Sequence, residues 1–171
     1  VITIFMILFG VNFNAYYFIL FRQLKRAVKM EEVKYYFIIV GAATLIIFLN
    51  ILHMYSSPFE ALTHSVFQVG SIITTTGFST TDFDLWPETS KTILVLLMFV
   101  GACAGSTGGG IKVSRFVIMG KSIIKELHLY IHPKSVKQIV MDKKEVVIID
   151  AGAEIEDIKT AIGDRKVLAV L

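Results

Sequence analysis

The run TTTGFSTT at residues 74–81 carries the residue types most suited to chemistry in this chain, namely the binding of a cation that has lost its water. Such a cation needs replacement oxygen ligands, and main-chain carbonyl groups supply them without a full charge. Gly77 can adopt φ values that other residues avoid, so the carbonyl groups around it can turn toward one axis. The run therefore predicts a cation filter. An extracellular loop of small polar residues is the alternative interpretation.

A second segment, GACAGSTGGG at residues 101–110, lies at the end of an apolar stretch and favours a break in a helix. Each glycine in a helix interior costs about 1 kcal/mol relative to alanine. We therefore expect the three adjacent glycines at 108–110 to interrupt the helix within the membrane. A nucleotide-binding P-loop is excluded because Ile111 stands where that motif requires lysine. A flexible helix break, close packing of helices through small residues and a gating loop stay open as interpretations.

The elements that must hold these two segments are predicted to be membrane helices. Hydrophobic residues form 54% of the 171 and charged residues 18%, whereas a soluble domain carries about 25% charged residues. Apolar blocks at 1–21, 35–52 and 92–111 are each close to the ~20 residues that cross a bilayer. Three membrane spans are therefore predicted. The first block lacks the basic start of a signal peptide, so we expect the chain to begin inside a helix, as a piece of a longer protein.

The placement of charge orients the chain in the plasma membrane. Lysine and arginine cluster at 22–29 and after residue 111, and neither occurs between residues 55 and 90. Cytoplasmic segments carry the excess of basic residues, so the stretch between 55 and 90 is predicted to face outward. Asp82 and Asp84 then lie at the outer mouth of the filter, where they would raise the local cation concentration. Nucleic-acid binding is excluded as the role of the basic clusters because they flank membrane spans.

A short pore helix is predicted at 58–73, directly before the filter at 74–80. Ser57 suits its N-cap and Pro58 its first position. With ~15 residues it reaches only ~22 Å, which is too short to span a bilayer. Several of its side chains are polar and suit a buried site better than lipid, namely Thr63, His64, Ser65, Gln68 and Ser71. We expect His64 to be a hydrogen-bond partner behind the filter. Span, short helix, polar loop and span together predict a re-entrant pore loop.

Three regions are predicted along the chain. Residues 1–29 form a transmembrane helix and a basic cytoplasmic loop, and residues 30–132 form a pore-loop repeat with spans at about 34–55 and 90–127. Residues 133–171 form a short soluble cytoplasmic tail, to which no fold is assigned. The tail contains an apolar strand at 145–150, a charged helix at 154–162 and a second apolar run at 166–171, which is typical of a small β-α-β unit.

Two stretches make the chain resemble one repeat of the TrkH/KtrB family of potassium-uptake proteins. They are FQVGSIITTTGF at 67–78, followed by Asp82-Phe83 and Trp86-Pro87, and GACAGSTGGGIKVSR at 101–115. The resemblance covers roughly residues 1–140. It implies an all-α membrane protein of the potassium-channel-like type, in which span, pore helix, filter loop and span repeat four times around one pore. The chain would comprise the end of the second repeat and the whole third repeat, followed by a tail too charged for the family's next membrane helix.

The resemblance also implies roles for residues. It implies that the backbone of five residues lines the filter and binds potassium, namely Thr75, Thr76, Gly77, Phe78 and Ser79. It implies a gating loop below the filter at Gly105, Ser106, Thr107, Gly108, Gly109 and Gly110. The implied partners are membrane lipid, a second copy of the pore subunit, and a cytosolic nucleotide-binding regulatory ring that docks near Lys112 and Arg115. The implied function is potassium uptake across the cell inner membrane, with no cofactor and no enzymatic activity. A non-transporting membrane anchor is the alternative.

Overall fold

The computed structural model describes residues 1–131, 139–141 and 144–146. The chain divides into two compact units, Val1–Phe116 and Val117–Leu171. Helices dominate the described residues, and the predicted all-α fold class is confirmed. The helices are α1 (Ile2–Phe9), α2 (Phe13–Leu20), α3 (Leu24–Lys29), α4 (Glu31–Ile51), α5 (Pro58–Ile73), α6 (Glu88–Phe99) and α7 (Val113–Ile131), with 3-10 turns at Leu52–Met54 and Phe83–Leu85.

The second unit contains a two-stranded ladder in addition to most of α7. Strands β1 (Ile139–Met141) and β2 (Lys144–Val146) pair antiparallel, with Ile139 opposite Val146. Strand β2 overlaps the start of the strand predicted at 145–150, but its partner is the neighbouring β1, which the sequence did not indicate. The rest of that strand, the helix predicted at 154–162 and the run at 166–171 lie outside the described residues.

The first apolar block is bent sharply, and the prediction of one continuous span there is wrong. Helices α1 and α2 meet at 99°. The Asn12 side chain caps α2 by accepting a hydrogen bond from the Asn14 main-chain N–H at 2.9 Å. The Gly10 carbonyl, at the end of α1, accepts a hydrogen bond from the Cys103 N–H at 3.0 Å. A Cβ atom at Gly10 would collide with the Tyr36 hydroxyl group. The bend is therefore fixed by contacts with residues distant in the sequence.

Helix α4 provides the uninterrupted apolar element. Together with its 3-10 turn it runs over Glu31–Met54, and it is the only helix of the described residues that is long and apolar enough to cross a membrane. The pair α1 and α2 adds a second crossing if the bent pair is counted as one span. Helix α6 has 12 residues and reaches only ~18 Å. Of the three predicted spans, the second is present as a single helix, and the first is present only if the bent pair is counted as one span.

The third apolar block ends its helix earlier than expected. Helix α6 stops at Phe99, and no helix resumes until α7 begins at Val113. Val100 and Ile111 form a parallel bridge across this interruption, in which the Gly101 N–H donates to the Ile111 carbonyl at 2.8 Å. A Cβ atom at Gly101 would overlap the Gly109 carbonyl oxygen. The predicted break at 108–110 is present, but it is part of a longer hydrogen-bonded loop at 100–112, which divides the span predicted at 90–127.

Helix α5 is enclosed by its neighbours. It contacts α1, α4 and α6, and its buried residues include Ala61, Val69 and Ile73. Helix α4 presents one face to this core, at spacings of three and four residues that place side chains on the same side of a helix. The apolar residues of that face are Tyr36, Val40, Ala43, Ile47 and Ile51. Its opposite face exposes large apolar side chains such as Ile38, Leu45 and Leu49, as a lipid-facing surface does.

Candidate cation filter

The start of α5 follows the sequence prediction. Ser57 is the N-cap, its hydroxyl accepting a hydrogen bond from the Glu60 N–H at 3.2 Å, and Pro58 is the first residue of the helix. The cap and the proline fix where the helix begins, because the first N–H groups of a helix lack partners within it. Helix α5 then runs for 16 residues and ends at Ile73. Its C-terminal end therefore leads directly into the predicted filter at 74–80.

The chain reverses direction in the filter segment through two left-handed residues. Thr75 has φ 55° and Gly77 has φ 79°. The Thr75 N–H donates to the Ile72 carbonyl at 3.0 Å, and the Thr76 N–H donates to the Ser71 carbonyl at 2.8 Å. A Cβ atom at Gly77 would have no neighbour within 4 Å. The backbone conformation, rather than a lack of space, therefore favours glycine at that position.

Polar side chains of α5 hold the returning segment 78–81. The Ser71 hydroxyl donates to the Phe78 carbonyl at 2.5 Å, and the Gln68 amide donates to the Ser79 hydroxyl at 2.6 Å. The His64 Nδ1 lies 3.0 Å from the Thr80 hydroxyl oxygen, so the expected hydrogen bond to the predicted filter segment is present. Gln68 and Ser71 are each 1% exposed. Buried polar groups persist when they are hydrogen-bonded, so these contacts fix the path of the segment.

The carbonyl groups of the predicted filter differ in whether they accept hydrogen bonds. Residues 75–80 are exposed in the chain. Among the described residues, no hydrogen bond reaches the carbonyl oxygens of Thr75, Thr76, Gly77 or Ser79. The Phe78 carbonyl accepts from Ser71 and is thus directed toward α5. Four main-chain oxygens of this exposed segment are therefore left without a hydrogen bond in the described part of the chain.

The glycine-rich loop lies against the first residues of the filter. The Gly109 N–H donates to the Thr75 hydroxyl oxygen at 2.9 Å, and that hydroxyl donates to the Thr74 carbonyl at 2.7 Å. A Cβ atom at Gly108 would stand 3.5 Å from the Thr74 carbonyl oxygen. The Lys112 ammonium group donates to the Gly108 carbonyl within the loop. The structure thus brings together the two segments that the sequence singled out.

The end of the predicted filter that is farther along the chain has supports that the sequence did not reveal. The Trp86 indole N–H donates to the Tyr55 hydroxyl at 3.1 Å, and that hydroxyl lies 3.4 Å from the Thr81 hydroxyl oxygen. Trp86 is only 3% exposed. Asp82 and Asp84 are exposed immediately beyond the filter, and the Asp82 carboxylate accepts a hydrogen bond from the Asp84 N–H at 3.0 Å.

A buried carboxylate at the start of α4 was also missed. The sequence places Glu32 in the first turn of a helix, where an acidic side chain is favoured by the helix dipole. In the structure Glu32 is 3% exposed. Its carboxylate accepts hydrogen bonds from the Asn12 amide at 3.1 Å and from the Ala104 N–H at 2.5 Å. Glu32 thus joins the bend between α1 and α2 to the glycine-rich loop.

Known proteins resemble this chain in both sequence and structure. The family described as "TrkH: Cation transport protein" matches residues 1–148. The "Trk system potassium uptake protein TrkH" of Halomonas elongata is 35% identical over 133 residues, which cover 76% of this chain and 28% of that protein. Its namesake from Escherichia coli K12 is 33% identical over 149 residues, covering 84% of this chain and 30% of that protein.

A solved structure agrees with these matches. It is the crystal structure of the potassium transporter TrkH from Vibrio parahaemolyticus, to which the chain is similar with a TM-score of 0.75 and 30% identity. The match covers 94% of this chain and 34% of that one. The chain thus spans about a third of the length of the proteins that it matches.

Proposed function

The chain belongs to the TrkH family of cation transport proteins, and from that premise we propose that it supplies one filter strand of a potassium-uptake pore in the plasma membrane. The observation that carries this proposal is the set of open carbonyl oxygens at Thr75, Thr76 and Gly77, on an exposed segment held by α5. Carbonyl oxygens replace the hydration shell of a potassium ion as it enters a narrow filter. The filter-lining residues of the proposal are Thr75, Thr76, Gly77, Phe78 and Ser79, although the Phe78 carbonyl is bonded to Ser71 and so would not contact the ion.

Electrostatics supports the choice of a cation. Helix α5 ends at Ile73, directly before the filter, and the C-terminal end of a helix carries a partial negative charge. Asp82 and Asp84 add formal negative charge beyond the other end of the filter. No lysine or arginine occurs between residues 55 and 90. Lys91, just beyond this stretch, donates to the Asp84 carbonyl at 3.4 Å, but its charge is paired with Glu88 at 2.7 Å. The carboxylates of Asp82 and Asp84 thus remain as excess negative charge, and a cation is attracted to both ends of the segment.

The loop at 105–110 is proposed to gate this filter. Its Gly109 N–H donates to the Thr75 hydroxyl group, so the loop occupies the space next to the first open carbonyl groups. Potassium ions would pass when this contact breaks and the loop moves away. The gating residues of the proposal are Gly105, Ser106, Thr107, Gly108, Gly109 and Gly110.

The proposed regulatory partner acts from the cytoplasmic side. A nucleotide-binding regulatory ring would bias the gate by contacting the segment after the loop, where Arg115 is exposed. Lys112, also expected to dock, is instead bonded to the Gly108 carbonyl, so it would transmit the contact to the loop rather than make it. A second copy of the pore subunit and the surrounding lipid complete the assembly.

Uptake of rubidium, a tracer for potassium, tests the proposed function in potassium-starved cells that lack their own uptake systems. Because one filter strand does not make a pore, the chain is produced in place of the matching segment of a TrkH protein. Cells that produce this chimera are expected to take up rubidium, and potassium is expected to inhibit this uptake far more strongly than the same concentration of sodium. Cells that carry the empty vector and cells that produce the unaltered TrkH protein are the controls. A chimera that reaches the membrane and gives no uptake above the empty vector would contradict the proposal and favour a membrane anchor.

A further inference from the structure

Glu32 has a buried carboxylate that is held by hydrogen-bond donors rather than by a basic side chain in the part of the chain that the structure describes. It is 3% exposed, and among the described residues no lysine or arginine nitrogen lies within ion-pair distance of its carboxylate. Burying an unpaired charge costs free energy unless hydrogen bonds compensate. The two donors, the Asn12 amide and the Ala104 N–H, are therefore what retains the carboxylate in this place.

Asn12 presents its donor to Glu32 in a fixed orientation. Its side-chain oxygen accepts a hydrogen bond from the Asn14 N–H at 2.9 Å as the N-cap of α2. Its amide nitrogen is consequently the atom that faces Glu32, at 3.1 Å. Further hydrogen bonds join the same bend to the loop, because the Cys103 N–H donates to the Gly10 carbonyl at 3.0 Å and the Phe13 N–H to the Gly105 carbonyl at 3.4 Å.

The loop is held at both ends, and it meets the predicted filter between them. Residues 103–105 are bonded to the bend and to Glu32, and Cys103 is fully buried. At the other end, Ile111 is bonded to Phe99 and Gly101. Between these ends, Gly109 donates to the hydroxyl group of the exposed Thr75. Gly105 and Gly110 have φ values of 68° and 74°, so left-handed glycines stand at both ends of the segment between them. Such glycines permit the backbone rotations that other residues resist.

We propose that Glu32 and Asn12 form a post that fixes one end of the glycine-rich loop, so that gating moves only residues 106–110. The proposal rests on the proposed function, since it names the residues that position the gate. Glu32 is a positioning residue, because it contacts neither the filter nor the ion. When the post is weakened, residues 103–105 are released together with the rest of the loop, and Gly109 is no longer directed at Thr75. The closed arrangement then loses population.

An exchange of hydrogen-bonding groups tests the post. In Glu32→Gln the new amide group faces the Asn12 amide, so a donor meets a donor. In Asn12→Asp two carboxylates face each other. The double variant N12D/E32Q restores a donor opposite an acceptor, leaves a carboxylate oxygen to cap α2, and keeps the net charge. Each single variant is expected to raise basal rubidium uptake per inserted protein about tenfold, equivalent to about 1.4 kcal/mol, and the double variant is expected to return it toward wild type.

A second measurement reports on the post without using transport. Cys103, the single cysteine of the chain, is fully buried next to Ala104. Its alkylation by N-ethylmaleimide, located by mass spectrometry, is expected to accelerate in both single variants and to slow again in the double variant. Glu126→Gln, which removes the same charge from an exposed residue of α7, is the control and is expected to behave as wild type in both measurements.

The two measurements separate the post from the proposed function. Single variants that match wild type in both uptake and alkylation would overturn the post, as would a double variant that is no better than either single one. A wild-type protein that transports no rubidium would contradict the proposed function instead. The alkylation rates would then still support the post, or overturn it, as a structural element.

Discussion

Replacing Gly77 with serine is expected to lower the preference of the protein for potassium over sodium about tenfold, the factor that corresponds to about 1.4 kcal/mol. Gly77 has φ 79°, a region that costs other L-residues roughly 1–2 kcal/mol. The backbone of Gly77→Ser is expected to relax toward negative φ. The change in φ turns the peptide groups on either side of residue 77. The carbonyl oxygens of residues 76 and 77 therefore move away from the positions that suit potassium. The measurement compares the inhibition of rubidium uptake by potassium and by sodium.

A second glycine offers the matched control for this substitution. Gly41 lies within α4 with no atom within 4 Å of an added Cβ and without a positive φ. Gly41→Ser thus introduces the same side chain into the membrane part of the protein without strain. We expect it to keep the wild-type selectivity. Identical selectivity in Gly77→Ser and Gly41→Ser would contradict the role of Gly77 in a filter.

Deleting residues 108–110 is expected to raise rubidium uptake up to about tenfold per inserted protein, and to leave membrane insertion intact. The deletion removes the Gly109 N–H that donates to Thr75. The shortened loop no longer reaches the filter, so the closed arrangement loses its defining contact. A hydrogen bond of this kind contributes about 0.5–1.5 kcal/mol, and about 1.4 kcal/mol corresponds to a tenfold change.

The control for the deletion is Gly120→Ala, a change in α7 where an added Cβ meets no atom within 4 Å. It is expected to give wild-type uptake. The fraction of protein in the membrane is determined for both variants, since uptake is compared per inserted molecule. A deletion variant that inserts normally and takes up rubidium at the wild-type rate would remove the loop from the gating mechanism.

Local signals made the short helix and the filter segment predictable from sequence. The N-cap at Ser57 and the proline at Pro58 act within one turn, so their effect is visible in neighbouring residues. The polar face of α5 was visible for the same reason, and the structure uses His64, Gln68 and Ser71 from it. Signals that operate over three or four residues need no knowledge of the fold.

The bend in the first apolar block was hidden because its causes are distant. Asn12 and Asn14 interrupt an otherwise apolar run, and polar residues of this kind are compatible with a continuous span. The bend depends on Tyr36, which excludes a side chain at Gly10, and on Cys103, which donates to the Gly10 carbonyl. Tertiary contacts thus overrode the helical tendency of the block.

The post around Glu32 was hidden for a related reason. Its hydrogen bonds join Glu32 to residues 20 and 72 positions away. A glutamate in the first turn of a helix is common on a protein surface because of the helix dipole, so the residue type carried no signal of burial. The early end of α6 was similarly unforeseen, since Val100 leaves the helix to form a bridge with Ile111 across the loop.

Locating bound rubidium by its anomalous scattering, in crystals of the protein, tests most directly whether the backbone beside Gly77 binds the transported cation. Rubidium is expected next to the carbonyl oxygens of Thr75, Thr76 and Gly77. Excess potassium is expected to displace it, and the same concentration of sodium is expected to leave it in place. Rubidium bound elsewhere along the pore with none at these oxygens, or a site that sodium empties as readily as potassium, would contradict the assignment of this segment as a potassium filter.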